Sequence, residues 1–185
     1  MNEKEDLRII KTKTNLYQTL ENLLKKYPFE NIKVSDICTN ALINRSTFYA
    51  HYNDKYELLS EYIESKKSLL AKELEKNTSI KNTKEYYLEL IKLLLDFIDD
   101  KRDLYFKIMI NNKNSIYMDI IYETVSKDII KHINNDSIKE RIPSDIISNF
   151  YLGAVFNVCM NWLNFNSKYS KEEIINYLDS LIPNL

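Results

Sequence analysis

The sequence predicts an all-α protein, and three observations carry that reading. Of 185 residues one is glycine, Gly153, and three are proline, Pro28, Pro143 and Pro183. That is too few of the residues that the turns of an all-β or βαβ chain demand. Apolar residues recur at three- and four-residue steps, the period of helices with one buried face. With 44% apolar and 29% charged residues, the composition is that of an ordinary globular chain, long enough for one good-sized domain or two small ones sharing a core.

The elements follow in order. A first helix is expected from about Asp6 to Tyr27, with Leu16, Leu20, Leu23, Leu24 and Tyr27 on one stripe. Pro28 ends it, because the residue before a proline is pushed out of the helical region. A short second helix spans about Val34 to Ala41, buried through Val34, Ile37, Cys38 and Ala41. The third runs from about Arg45 to Tyr52, with Asn44 as N-cap accepting from the amide of Ser46 or Thr47. The fourth opens at Asn53 or Asp54, where Asp54-x-x-Glu57 reads as a capping box, and continues through Leu58, Leu59, Tyr62, Leu69, Leu70 and Leu74 as a long connector. After the polar run 77–82, helices are expected at about 83–100, 101–111, 113–135, 143–166 and 171–182, the last announced by the box Ser170-x-x-Glu173. The result is a three-helix, helix-turn-helix unit over residues 1–56, joined by a long helix to a helical bundle over residues 57–185.

Composition narrows the chemistry. The net charge of −1 argues against a general polyanion binder, but residues 1–56 hold nine Lys and Arg against seven Asp and Glu, a small basic excess where the helical corner lies. The two cysteines, Cys38 and Cys159, are far apart and each falls in a helical pattern, which fits small core residues in a reduced, cytoplasmic setting. No run of about 18 uninterrupted apolar residues and no signal-peptide core is present, so neither membrane nor export is expected. With two histidines, His51 and His132, and no HExxH, CxxC, Gly-rich phosphate loop or Gly-x-Ser-x-Gly, no enzyme, metal or cofactor site is expected. His132 reads as a surface residue near a helix end.

The segment CTNALINRSTFYAHY, residues 38–52, carries the chemistry. On a helix starting at Arg45, Phe48 and Tyr52 are one turn apart and can enter the core, leaving Arg45, Ser46, Thr47 and Tyr49 on the other side. A bidentate donor, two short hydroxyls and a phenol suit an element pressed into a major groove. Arg45 would read a guanine edge, Thr47 a thymine methyl or a phosphate, and Tyr49 the backbone. His51 would either donate to a phosphate or cover the next helix, and Lys55 adds charge beside it. The plainer alternative is a helical corner whose polar face is simply wet.

The runs Ile32-Lys33-Val34-Ser35-Asp36-Ile37-Cys38, Ile43-Asn44-Arg45-Ser46-Thr47-Phe48-Tyr49, His51-Tyr52 and Asp54-Lys55-x-x-Leu58-Leu59 resemble the DNA-binding domain of the TetR family of bacterial transcriptional regulators over about residues 10–60. The resemblance implies that Arg45, Ser46, Thr47, Tyr49 and His51, with Asn44, face operator DNA, and that Lys55 and the start of the second helix, Lys33 to Ser35, hold phosphates. It also implies a homodimer placing two such helices in successive major grooves, about 34–36 Å apart or somewhat more. Two positions depart from the family pattern: Leu42 stands where glycine is usual, and Lys33 where a capping threonine or serine is usual. Leu42 must either adopt the left-handed conformation or open the turn and tilt the third helix.

The rest of the chain is less specific and is similar to short-bodied members, including regulators like those of dihydroxyacetone kinase. The helix at 143–166 and the last helix offer Phe150, Ala154, Val158, Trp162, Ile174 and Leu178 as a dimer seam, the alternative being an intrachain core. Phe97, Tyr105, Met109 and Tyr122 are candidates for an effector pocket. The expected function is a repressor relieved by a small molecule; the alternative is a DNA-binding regulator without such a pocket, whose body docks a co-regulator protein.

Overall fold

The computed structural model describes residues 3–76, 83–133, 142–164 and 168–182; the polar run 77–82, the ends of the helices expected to reach 135 and 166, and the side chain of His132 lie outside them. Every regular element among the described residues is helical: α1 (Glu3–Leu24), a 3-10 turn (Phe29–Asn31), α2 (Val34–Asn40), α3 (Arg45–Tyr49), α4 (Lys55–Glu75), α5 (Thr83–Asp100), α6 (Arg102–Asn112), α7 (Ile116–Ile133), α8 (Ser144–Leu163) and α9 (Lys171–Leu181). The fold is all-α. The chain forms two compact units, one of residues 1–65 with 107–120, the other of residues 66–106 with 121–185.

In the first unit, Leu16, Leu20 and Leu24 of α1, together with Ile37, Phe48, Leu58 and Leu59, have no exposed surface. Fully burying each such side chain contributes roughly 1.5–3 kcal/mol. Tyr27, expected on the same stripe, is instead 51% exposed. α1 stops at Leu24, and a turn in which the amides of Lys26 and Tyr27 both donate to Leu23 O carries the chain to Pro28.

The sharp corner after α2 is a Schellman turn. Leu42 N–H donates to Thr39 O at 3.3 Å and Ile43 N–H to Cys38 O at 3.1 Å, with Leu42 at φ 55°, the one non-glycine residue at positive φ among those described. Of the two outcomes open to Leu42, the left-handed conformation is the one adopted. Its side chain is 91% exposed, so the strain purchases no packing. Leu42→Gly is therefore expected to stabilise the protein by about 0.5–1 kcal/mol, the left-handed penalty of about 1–2 less the chain entropy of glycine. Thermal unfolding checks this: a rise of about 1–4 °C is expected, and a fall would show that Leu42 is held by something other than the turn.

The second unit packs α5, α8 and α9 together. Lys84, near the start of α5, pairs with Asp179 near the end of α9 at 2.9 Å, and Asp96 near the end of α5 pairs with Lys171 at the start of α9. Two pairs at opposite ends make α5 and α9 antiparallel. The expected capping box starts α9: Glu173 N–H donates to Ser170 Oγ at 3.2 Å and Ser170 N–H to Glu173 Oε2 at 2.8 Å. Ile147 and Leu152 of α8 are buried against Tyr87, Tyr122, Val125 and Tyr151. α8 is also long and apolar enough to span a bilayer, by length and composition alone. Here it carries Asp145, Asn149, Asn157 and Asn161 and buries Trp162 and Leu163 in the bundle.

Candidate nucleic-acid interface

Phe48 and Tyr52 turn inward at 0% and 2% exposure, their rings 5.8 Å apart, and anchor α3 to the core. That anchoring leaves Asn44, Arg45 and Ser46 exposed, Tyr49 54% exposed, and Thr47 and His51 half-buried. Tyr49 rests edge-on against Phe48, their ring centres 5.5 Å apart, which braces its ring. At the start of α2, Lys33 is exposed and Ser35 half-buried. Of the residues expected to face DNA, Lys33, Asn44, Arg45, Ser46 and Tyr49 are thus exposed, and Ser35, Thr47 and His51 half-buried.

Three local expectations change. Asn44 has N-cap backbone geometry but makes no side-chain cap hydrogen bond. Its amide projects from the helix start as an exposed group. At Lys33, whose ammonium cannot accept from an amide, Asp36 supplies half a cap by accepting from Lys33 N–H at 2.9 Å. At α4, Asp54 Oδ1 accepts from the amides of Tyr56 and Glu57, while Glu57 reaches back to Asn53, not to Asp54.

Lys55 needs a larger correction. Expected on a phosphate, its ammonium instead donates to three backbone carbonyls, Phe29 O at 2.9 Å, Glu30 O at 3.0 Å and Ile32 O at 2.8 Å, and lies 4.6 Å from the Phe29 ring centre. An ammonium has three donors, and all three are committed. Burial holds its pKa below the ordinary 10.5, with Glu30 opposing. Lys55 locks the 3-10 turn to α4 and is not available to DNA.

Behind α3, the Glu61 carboxylate of α4 receives the Lys13 ammonium at 2.6 Å. Burial pushes Glu61 up, but Lys13 with the phenols of Tyr52 and Tyr17 outweighs it, and the pKa falls below the ordinary 4.5. The Tyr52 hydroxyl is buried and meets no partner at full hydrogen-bond geometry; burial, with Tyr17 and Glu61 nearby, drives its pKa far upward. Because the folded pKa of Glu61 is depressed, its contribution is present above pH 4.5 and lost as the pH falls through the folded value. Lys13 and Glu61 are 33% and 39% exposed, which limits the effect to about 1 kcal/mol. Denaturant unfolding from pH 6 down to about pH 3 is expected to show a steeper loss for the native chain than for Glu61→Gln; parallel curves would remove this pair from the stability of the α1–α4 packing.

The connection behind the corner was not visible in sequence. Asn112, fully buried, accepts from Phe29 N–H at 2.7 Å and donates to Leu24 O at 3.3 Å and Ile108 O at 2.8 Å. Asn111 donates to Lys25 O at 3.0 Å, and Glu30 accepts from Ile116 N–H at 2.9 Å. The α6–α7 corner thereby fixes the segment that leads into α2. A signal was present in the Asn111-Asn112 pair at a helix end, but nothing in sequence named its distant partners.

In the second unit, Phe150 is 69% exposed, Ala154 exposed and Val158 half-buried, whereas Trp162, Ile174 and Leu178 are covered by their own chain. Trp162 carries the Arg102 guanidinium 4.2 Å from its ring centre, and Arg102 also donates to Trp162 O. Of the residues expected at an effector pocket, Phe97 and Tyr105 have ring centres 5.2 Å apart with their rings tilted by 42°, Tyr122 lies 5.0 Å from Phe156, and Met109 belongs to the first unit. Cys38 and Cys159 are buried, and burial pushes the Cys159 thiol up to about 12, as expected of core thiols.

Residues 85–184 match the TetR_C_8 family model, a transcriptional regulator C-terminal region. The chain belongs to the TetR family of transcriptional regulators. Solved structures share this TetR fold: a TetR regulator from Streptococcus agalactiae 2603V aligns with TM-score 0.67 at 22% identity over 97% of both chains. The regulator FadR from Bacillus subtilis, solved in complex with stearoyl-CoA, aligns with TM-score 0.60 at 14% identity over 91% of this chain and 94% of that one. By sequence, the regulator is 32% identical over 106 residues, 56% of its length and 51% of the other, to the HTH-type dhaKLM operon transcriptional activator DhaS of Lactococcus lactis subsp. lactis (strain IL1403). It is 39% identical over 66 residues to the HTH-type regulator YxbF of Bacillus subtilis (strain 168), 34% of this chain and 17% of that protein. These two alignments span about half and about a sixth of the curated relatives' lengths.

Proposed function

We propose that this TetR-family regulator acts as a homodimer that reads double-stranded operator DNA with α3 and represses transcription until a small molecule engages its body. The exposed set Asn44, Arg45, Ser46 and Tyr49, standing on the buried Phe48 and Tyr52, carries this reading. It combines a bidentate donor, an amide and hydroxyls on a braced element, which is what base edges and phosphates require. The apolar surface left on α8 by Ile146 at 55% and Phe150 at 69% exposure, beside exposed Ala154, supports a second copy packing there, since large uncovered apolar side chains favour burial against a partner. A groove of about 470 Å3 along α8 and α9, lined by Val158, Trp162, Tyr177 and Leu181, has the size and lining of a site for an apolar ligand.

A second reading has its own support. Phe97 with Tyr105 and Tyr122 with Phe156 pack ring against ring, as in a filled core, which favours a body that docks a co-regulator protein without a small-molecule pocket. The name of one relative also reads activator. One experiment addresses these points: genomic DNA fragments selected by the purified full chain are sequenced, the mass of the complex is measured by light scattering, and transcription from the selected site is compared with and without the regulator. Enrichment of a two-fold-symmetric site bound by two chains, with transcription falling, is expected. Absence of any enriched sequence would sink the reading, and rising transcription would reverse its sign.

A further inference from the structure

We infer that the N-terminal part of α1 belongs to the same DNA surface, and that a cleft between α1 and α3 seats one sugar–phosphate unit of the operator backbone; this rests on the DNA-reading proposal above. The cleft, about 360 Å3, is walled by Arg8 and Thr12 from α1 and by Ser46, Thr47 and His51, with two aliphatic side chains, Ile9 and Ala50, completing it. Its lining holds no carboxylate. Thr12 spends its donor on Arg8 O at 2.9 Å, which leaves a guanidinium, two hydroxyls and an imidazole as the donors around the cavity.

That mixture selects the occupant. A phosphate oxygen takes charge-assisted donation from guanidinium and hydroxyl groups, while the carbons of the adjoining deoxyriboses lie against Ile9 and Ala50. A free small anion would use the donors but not the aliphatic wall. The cleft is also continuous with the reading helix, since Ser46 and Thr47 belong to α3. A strand of duplex lying along α3 would pass over it. In this arrangement Ser46 and Thr47 set the register of α3 through the backbone, and Arg45 is left to face the bases.

Contacts to phosphate position a protein without reading sequence, and each neutralised phosphate contributes about −0.9 to the slope of log affinity against log salt. The test uses the full chain, the selected operator duplex and an unrelated duplex of equal length, each titrated at several salt concentrations. Arg8→Gln is expected to weaken both duplexes by a similar factor, about tenfold at low salt, and to make the slope shallower by about 2, one phosphate for each chain of the dimer. Arg8→Lys is expected to keep the slope. A native protein that discriminates the operator, together with an unchanged slope in Arg8→Gln, overturns this inference and leaves the DNA reading intact. A native protein with no sequence preference overturns both. Inorganic phosphate that raises the melting temperature of the native chain but not of Arg8→Gln, with unchanged DNA slopes, makes the cleft a free-anion site and also overturns it.

Discussion

Replacing Arg45 and Tyr49 by alanine is expected to abolish discrimination between operator and unrelated DNA, weakening operator binding by at least about 100-fold. A good bidentate side-chain pair with a base contributes about 1–3 kcal/mol of discrimination. Two copies in a dimer, with the loss of the Tyr49 contacts added, give about 3–6 kcal/mol, or about 10²–10⁴ in affinity. The variant should remain folded. Arg45 is exposed and Tyr49 is 54% exposed, so the structural cost is mainly the edge-on contact with Phe48 at 5.5 Å, about 0.5–1.5 kcal/mol. Tyr49→Phe keeps that contact and removes only the hydroxyl, separating bracing from binding. Fluorescence anisotropy with operator and scrambled duplexes measures the outcome. A double variant that still prefers the operator by the native factor would exclude α3 as the reading element, whatever its loss of overall affinity. This signature also differs from that expected at Arg8, where both duplexes weaken together.

The elements and their order were legible in sequence because helical period, Pro28 and the capping residues are local signals. Leu42 was legible as a choice between two outcomes, since a β-carbon at a left-handed turn is costly, but only hydrogen bonds from Leu42 and Ile43 to Thr39 and Cys38 decide which outcome is realised. Lys55 was misread for a physical reason. A lysine near a helix start reads as an anion site, yet its actual partners are carbonyls of a turn 23–26 residues earlier, and a 3-10 turn announces itself weakly in sequence. Similar reasoning covers Trp162: an amphipathic stripe says that a residue is covered, not by what, and here the cover is Arg102. The outward set on α3 was readable in advance because a short helix with two inward aromatics fixes its own faces. The α1 wall of the neighbouring cleft was not, since Arg8 and Thr12 lie more than 30 residues from α3.

Asn112→Ala is expected to give the largest loss of stability in the first unit, about 3 kcal/mol. The residue is fully buried, and its amide group takes part in four hydrogen bonds, with Phe29 N–H, Leu24 O, Ile108 O and Ser115 Oγ, the first two on the path from α1 into α2. Truncation leaves that N–H and that carbonyl buried without partners, each costing about 1–3 kcal/mol, and opens a small cavity besides. In thermal unfolding this corresponds to a drop of about 6–12 °C for a chain of this size. Amide exchange at Phe29 should accelerate with it, because its acceptor is gone. Asn112→Asp sharpens the test. The carboxylate still accepts from Phe29 N–H but faces Leu24 O and Ile108 O with no proton to donate, so burial and the two carbonyls should raise its pKa above the usual carboxylate value. A raised folded pKa gives stability that is present at low pH and lost as the pH rises through it. The Asp variant should therefore approach the native chain on acidification, relative to Asn112→Ala at the same pH. If Asn112→Ala melts within about 1 °C of the native chain, the α6–α7 corner does not hold the approach to α2. The position of the reading helix would then rest on the α1 core, Lys55 and the Lys13–Glu61 pair alone.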